Sequence, residues 1–126
     1  MPVYQTTFDI EASPERVWAV LSALDRYDEW NPQMKNTRGP LEPGAQIAFR
    51  LVLPGRPAMN LKATLEEVEP NAMLSWRGHL VAPWFFEGLR RFAIRPTEGG
   101  RASVTHVEDV HGFFAPVFGV LMGSAG

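Results

Sequence analysis

Residues 8–32 read FDIEASPERVWAVLSALDRYDEWNP, a sequence that predicts the end of a strand followed by two short helices. Its first residues end a strand that starts at Val3, because apolar and polar residues alternate there. Ser13 is a favourable N-cap and Pro14 suits the first helical position, so a helix is predicted to begin at this point. The apolar residues that follow have the spacing of one buried helical face: Val17, Val20, Leu21 and Leu24.

A second short helix is predicted directly after the first. Asp25 is a candidate cap for it, the helix runs through Trp30, and Pro32 stops it. From Met34 onward the apolar residues recur at every second position, which is typical of strands. These strands are predicted at 47–53, 61–66, 74–80, 86–94 and 104–110. The breaks between them carry Pro, Gly and Asn, so the pattern predicts an antiparallel meander joined by turns.

The last part of the chain returns to a helical pattern. Phe114 and Phe118 belong to an apolar stripe within residues 113–124. About three turns fit there, which is roughly 18 Å at 1.5 Å per residue. We therefore expect a short C-terminal helix.

Composition limits the class of protein. The chain has 126 residues, a formal charge of −2 and no cysteine. These values predict one domain over 1–126 and give no electrostatic reason to expect nucleic acid as a partner. Disulfides and thiolate metal sites are excluded, and the three histidines have no metal-site spacing, so we expect neither metal nor cofactor. The sequence has no membrane-spanning apolar run and no recognisable leader, which makes the cytoplasm the expected location.

Four local patterns, in this order and spacing, resemble the START-like superfamily, also called the Bet v 1-like, SRPBCC or polyketide cyclase/dehydrase group. They are ASPERVW at 12–18, YDEWNP at 27–32, LSWRG at 74–78 and THVEDVHGF at 105–113. The resemblance implies an α+β helix-grip fold, in which a curved antiparallel sheet of about six to seven strands follows two short N-terminal helices. It also implies an apolar pocket between the sheet and the C-terminal helix.

The C-terminal helix is shorter than the resemblance implies. Either the sequence is trimmed, or the pocket stays open at one end. An open apolar groove favours a covering partner, and a homodimer is one arrangement that would cover it.

The resemblance and the strand parity together predict the residues of the pocket. The apolar candidates are Trp30, Phe49, Leu51, Leu61, Leu74, Trp76, Phe92 and Val104, with Phe114 and Phe118 on the opposite side. The alternative is that these side chains fill a solid core, since protein interiors are close-packed.

Three polar residues share the inward parity: Arg90, His106 and Glu108. In one interpretation they orient the polar group of a ligand, and His106 and Glu108 become weak candidates for proton transfer. In the other, Arg90 and Glu108 form an internal ion pair and His106 donates to the backbone. Three hypotheses for function follow: binding of a small hydrophobic, aromatic or lipid-like molecule, an enzyme of the polyketide cyclase/dehydrase kind, or an interaction module with an apolar groove.

Overall fold

A seven-stranded antiparallel sheet is the frame of the computed structural model, which describes residues 3–52, 54–55, 57–80 and 86–111. The strands are β1 (Val3–Ile10), β2 (Met34–Arg38), β3 (Gln46–Leu51), β4 (Met59–Glu69), β5 (Met73–Leu80), β6 (Phe86–Pro96) and β7 (Ala102–His111). Their order in the sheet is β1-β7-β6-β5-β4-β3-β2. Helix α1 (Pro14–Leu21) and a 3₁₀ helix (Leu24–Glu29) connect β1 to β2, and a single 3₁₀ turn (Glu98–Gly100) precedes β7. The predicted α+β fold is confirmed in its sheet and its two short N-terminal helices.

Helix α1 begins where the sequence predicts. The Ser13 hydroxyl accepts a hydrogen bond from the backbone N–H of Arg16, which satisfies one of the free donors at the helix start. Val17 and Leu21 are buried against the sheet. The prediction for Val20 is wrong, because its side chain is 53% exposed. The helix has only two turns, so only the strip through Val17 and Leu21 meets the sheet and Val20 lies at its side.

The 3₁₀ helix begins one residue before Asp25, so Asp25 is not its cap. The chain turns at Ser22, whose carbonyl accepts from the N–H of Leu24, and this places Leu24 in the core at the start of the new helix. The Tyr27 hydroxyl donates to the carbonyl of Leu21 and so ties the two helices together. Burial raises the pKa of Tyr27, and the hydroxyl therefore keeps the proton that it donates.

The hairpin between β6 and β7 sets the register of the centre of the sheet. Pro96 pairs with Ala102, and the backbone N–H of Thr97 donates to the carbonyl of Arg101 across the loop. Gly99 and Gly100 have φ values of 75° and 74°, a region that glycine adopts without steric cost. Because both strands run on regularly from this loop, Arg90 lies directly opposite Glu108.

The two faces of the sheet differ in polarity. The inner face, which we define as the face toward α1 and the 3₁₀ helix, carries the core residues of the strands. The outer face carries ion pairs at its surface, including Arg77 with Glu66 at 3.0 Å and Arg91 with Glu67 at 3.0 Å. A functional cavity therefore belongs on the inner face, where apolar surface is available.

The predicted C-terminal helix, with Phe114 and Phe118, lies outside the described residues. In the described part of the chain, neither helix is long and apolar enough to cross a membrane.

The Tyr27 contact gives a test of how the N-terminal helices are held. Tyr27→Phe removes a buried hydrogen bond, so we expect unfolding to become easier by about 1 kcal/mol. In a chain of this size that corresponds to a melting temperature lower by roughly 3–5 °C. Tyr4→Phe on β1 is the control, since Tyr4 lies outside this contact. Thermal unfolding followed by circular dichroism measures both, and equal stability of the two variants would contradict the role of the Tyr27 hydroxyl.

Candidate ligand-binding site

A cavity lies on the inner face of the sheet, beside the start of β2. About 60 Å³ of it is open to the centre of a water molecule, and the whole empty space with its open mouth is about 610 Å³. Its described lining is Gln33, Met34, Phe49, Leu51, Leu61, Lys62, Ala63, Trp76, Gly78, Gly88, Leu89, Arg90, Glu108 and Val110. A mainly apolar lining with few polar groups is typical of small-molecule sites.

The floor of this first cavity is a row of small residues across four neighbouring strands. Ala63, Gly78, Gly88 and Val110 lie directly opposite one another on β4, β5, β6 and β7. A Cβ atom at Gly78 would lie 2.9 Å from the carbonyl oxygen of Lys62, which is too close without a backbone shift. Gly78 is thus required by its close approach to β4. Because Gly78 and Gly88 have no side chains, the space above the middle of the row stays open.

An ion pair forms the next row of the same face. Arg90 and Glu108 are cross-strand neighbours, and Nη2 of Arg90 donates to Oε1 of Glu108 at 2.7 Å. Their side chains are only 10% and 3% exposed. Each charge would be costly to bury alone, so each depends on the other. The structure thus shows the internal ion pair that the sequence left as one of two interpretations.

Gln33, Arg90 and Glu108 together form what we call the polar end of the first cavity. Sequence reasoning missed Gln33. The Asn31 side chain positions it, because its Oδ1 accepts from the backbone N–H groups of Gln33 and Met34 at 2.9 and 3.1 Å. The carbonyl of Gln33 accepts from Val52, which anchors the segment to the end of β3. Its side-chain Oε1 then lies 3.5 Å from Nη2 of Arg90.

Two atoms at this polar end have no hydrogen-bond partner in the described part of the chain. They are Oε2 of Glu108 and Nε2 of Gln33, both buried. A buried polar atom without a partner costs about 1–3 kcal/mol. Such atoms need an explanation, and a bound water molecule, an ion or a ligand group would each supply the missing hydrogen bonds.

His106 lies next to the ion pair but is not among the described residues that line the first cavity. Its ring stacks on Phe92, with centroids 4.6 Å apart, and its Nε2 is 3.6 Å from Oε1 of Glu108. Burial, with a smaller effect from Arg90, lowers the pKa of His106 to about 4. The imidazole is therefore neutral near pH 7. Its Nε2 makes no hydrogen bond within the described residues, so donation from this nitrogen to the backbone is not seen.

A second cavity lies on the same face, next to α1. It is larger than the first by both measures: about 430 Å³ is open to the centre of a water molecule, and its whole empty space is about 880 Å³. Its described lining is almost entirely apolar: Phe8, Ile10, Ala12, Arg16, Val17, Val20, Leu21, Trp30, Phe92 and Val104. Trp30 stacks at a tilt on Tyr27, with ring centroids 4.8 Å apart. None of the described residues that line this cavity carries a buried polar atom without a hydrogen-bond partner.

The whole chain, residues 1–126, matches the family model described as polyketide cyclase / dehydrase and lipid transport. The chain belongs to this family. The START-like resemblance seen in the sequence is thereby confirmed. A search of curated proteins finds no significant match.

Solved structures share the fold of this family member. A hypothetical protein from Helicobacter pylori is 16% identical with a TM-score of 0.78, over 98% of this chain and 81% of that chain. A START superfamily protein from Mycobacterium smegmatis is 18% identical with a TM-score of 0.76, over 97% and 87% of the two chains. Ginseng major latex-like protein 151 from Panax ginseng is 12% identical with a TM-score of 0.69, over 89% and 80%. At these identities the likeness establishes the fold.

The structure divides the predicted site residues of this family member between the two cavities. Phe49, Leu51, Leu61, Trp76, Arg90 and Glu108 line the first cavity, whereas Trp30, Phe92 and Val104 line the second. Leu74 is fully buried in the core. The described residues contain no group of three or more His, Asp or Glu side chains placed to hold a metal ion.

The buried ion pair predicts that a single substitution lowers the free energy of unfolding much more than the double substitution does. Glu108→Leu leaves Arg90 buried without its partner, so we expect unfolding to become easier by about 3–5 kcal/mol. Arg90→Met combined with Glu108→Leu is expected to recover most of that loss, because no charge stays buried. Urea unfolding measures both.

The control is Glu66→Gln, which breaks the half-exposed pair with Arg77 on the outer face. Exposed pairs contribute about 0–1 kcal/mol, so this variant is expected to resemble the wild type. A double variant no more stable than Glu108→Leu alone would contradict the account of the buried pair.

His106 predicts a pH dependence of stability. Its pKa is about 4 in the folded protein and 6.5 as the ordinary value, so protonation favours the unfolded chain. The contribution of neutral His106 to the free energy of unfolding is complete above pH 6.5 and is lost as the pH falls toward 4. His106→Phe retains the ring on Phe92 without a titratable group. Urea unfolding from pH 7 to pH 4.5 is expected to show a shallower loss for this variant, and equal slopes would contradict the assignment.

Proposed function

We propose that the protein binds a small hydrophobic molecule in the first cavity. The observation that supports this is the coincidence of an apolar lining with two buried polar atoms that lack partners, Oε2 of Glu108 and Nε2 of Gln33. Apolar contact supplies most of the affinity at about 25 cal/mol per Å² of buried surface. The polar end orients the molecule.

Binding is favoured over catalysis on chemical grounds, although the family description covers both. Cyclisation or dehydration needs a group that exchanges a proton near neutral pH. His106 does not line the described cavity and its pKa is lowered to about 4, while Glu108 is engaged with Arg90. The cavity thus supplies recognition without a suitable proton shuttle among the described residues.

The third hypothesis, an interaction module, depends on an apolar groove beside the C-terminal helix. That helix lies outside the described residues, so no described contact favours this function.

The binding test uses the fluorescent probe N-phenyl-1-naphthylamine, whose emission rises in an apolar site. Leu61→Trp places a larger side chain in the first cavity, where it takes up space that the probe needs. We therefore expect the dissociation constant of the probe to rise at least about tenfold, which corresponds to 1.4 kcal/mol. Fluorescence titration at fixed protein concentration measures it.

Val20→Phe is the matched control, because Val20 lines the second cavity and is exposed. We expect it to leave probe binding through the first cavity unchanged. If Val20→Phe weakens binding and Leu61→Trp does not, the probe occupies the second cavity and the proposal is wrong. Thermal unfolding of both variants checks that each is folded.

A further inference from the structure

A cleft lies on the outer face of the sheet, where β2, β3 and β4 run side by side. About 340 Å³ of it is open to the centre of a water molecule. Its described polar lining is Asn36, Arg38, Arg50, Asn60 and Lys62, and no acidic residue is among the described residues that line it. We call it the basic cleft. Its charged side chains point away from the core, so the sheet separates them from the first cavity.

A β-bulge in β2 places Arg38 at the basic cleft. Lys35 lies opposite Arg50, but Arg38 lies opposite Ala48, so three steps along β2 match two steps along β3. Without the extra residue Arg38 would lie opposite Ile47, which is 0% exposed in the core. The bulge thus turns the Arg38 side chain from the inner face to the outer face.

Asn36 holds the bulge and, with it, the position of Arg38. Its backbone has a φ of 54°, in the left-handed region that asparagine adopts more readily than most residues. Oδ1 of Asp28 accepts from the backbone N–H of Asn36 at 2.6 Å, and Nη1 of Arg38 donates to the carbonyl of Asn36 at 2.8 Å. One guanidinium nitrogen therefore fixes Arg38, and the others remain as donors.

Ala48 is the floor of the basic cleft. It lies opposite Arg38 on one side and opposite Lys62 on the other, in one cross-strand row. Arg50 is two residues further along β3, so it shares the same face. Neighbouring strands are about 4.8 Å apart, which brings three long cationic side chains within reach of one group above this small alanine.

The three cations of the basic cleft form no ion pair with a carboxylate in the described part of the chain. Arg77 and Arg91, on the same face, each pair with a glutamate. Lys35 adds to the positive charge, because it lies directly opposite Arg50, and like charges in this position destabilise a sheet. A bound anion would relieve this repulsion.

The chemistry of the basic cleft indicates which anion fits. Its lysine and arginine side chains only donate hydrogen bonds. Nη1 of Arg50 donates to Oδ1 of Asn60 at 3.4 Å, so the amide nitrogen of Asn60 is a further donor. A carboxylate brings one negative charge and two acceptor oxygens, whereas a phosphomonoester brings a charge of about −1.5 to −2 near pH 7 and three strong acceptor oxygens. The phosphomonoester is the better match for three cations and an amide.

We propose that the basic cleft binds a phosphomonoester group, which Arg38, Arg50 and Lys62 hold above Ala48. Soluble phosphate esters and the headgroup of phosphatidate both carry this group. The site is independent of the proposed function, because it lies on the opposite face of the sheet from the first cavity.

Glycerol 3-phosphate is the soluble probe, and the amide NMR shifts of the protein report where it binds. At low ionic strength we expect saturable shifts centred on Ala48 and its neighbours. Acetate is the comparison anion. We expect its dissociation constant to be about fivefold higher or more, the effect of one charged contact at an exposed site.

Arg50→Gln removes one cation, so we expect the dissociation constant of glycerol 3-phosphate to rise about threefold to fivefold. Arg95→Gln is the matched control, because it removes the same charge from exposed β6 sequence outside the described lining of the cleft. We expect it to leave binding unchanged. Equal weakening by the two variants would show attraction to net charge alone and would overturn the proposal.

Ala48→Leu tests the shape of the basic cleft, since it retains every charge and fills the floor. We expect it to weaken binding of glycerol 3-phosphate more than Arg50→Gln does. Thermal unfolding checks that each variant is folded. If Ala48→Leu does not fold, the comparison of Arg50→Gln with Arg95→Gln still decides the question.

Vesicles distinguish the two sources of the phosphomonoester. The protein is sedimented with phosphatidylcholine vesicles that contain phosphatidate, and with matched vesicles that contain phosphatidylglycerol, a diester. Binding of glycerol 3-phosphate with preference for phosphatidate over phosphatidylglycerol supports a headgroup as the source, and binding of glycerol 3-phosphate alone supports a soluble ester. The proposal is overturned if neither form binds, if acetate binds as tightly as glycerol 3-phosphate, or if phosphatidylglycerol vesicles or single-stranded RNA bind as well as phosphatidate.

Discussion

The buried ion pair of Arg90 and Glu108 is the interaction on which the inner face of the sheet depends. Neither charge is tolerable there without the other, and they meet only because β6 and β7 pair in one register. A slip of one residue in either strand would turn that strand's side chain to the outer face and leave the other charge buried without its partner. The glycine-containing hairpin that holds this register is therefore part of the site, although it lies at the far end of the two strands.

The ion pair also divides the inner face into two regions. On one side the small residues Gly78 and Gly88 leave room for the first cavity. On the other side Phe92 and His106 stack and continue into the apolar surface near α1. Arg90 and Glu108 thus lie at the boundary between the first cavity and the packed core.

Much of this arrangement is predictable from the sequence, because strand residues alternate between the two faces. The inward positions of Trp76, Arg90 and Glu108 follow from that parity. Their pairing does not, since it depends on registers that only the turns determine. Gln33 was missed for a local reason: it precedes β2, and the Asn31 side chain holds its backbone in place. The errors at Val20 and Asp25 share a cause, because α1 ends at Leu21 and the chain turns before Leu24.

The position of each polar residue in the sheet determines how freely its backbone can adjust to the proposed ligand. Arg90 and Glu108 lie on strands that are hydrogen-bonded on both sides, so their backbones have little freedom to adjust. Gln33 stands just before the edge strand β2, which has a neighbour on one side only. The Glu108 carboxylate therefore has a fixed position in the sheet, whereas the backbone of Gln33 is held by its contacts with Asn31 and Val52. Adjustment to the proposed ligand would therefore fall mainly to the Gln33 side chain, while Arg90 and Glu108 stay preorganised.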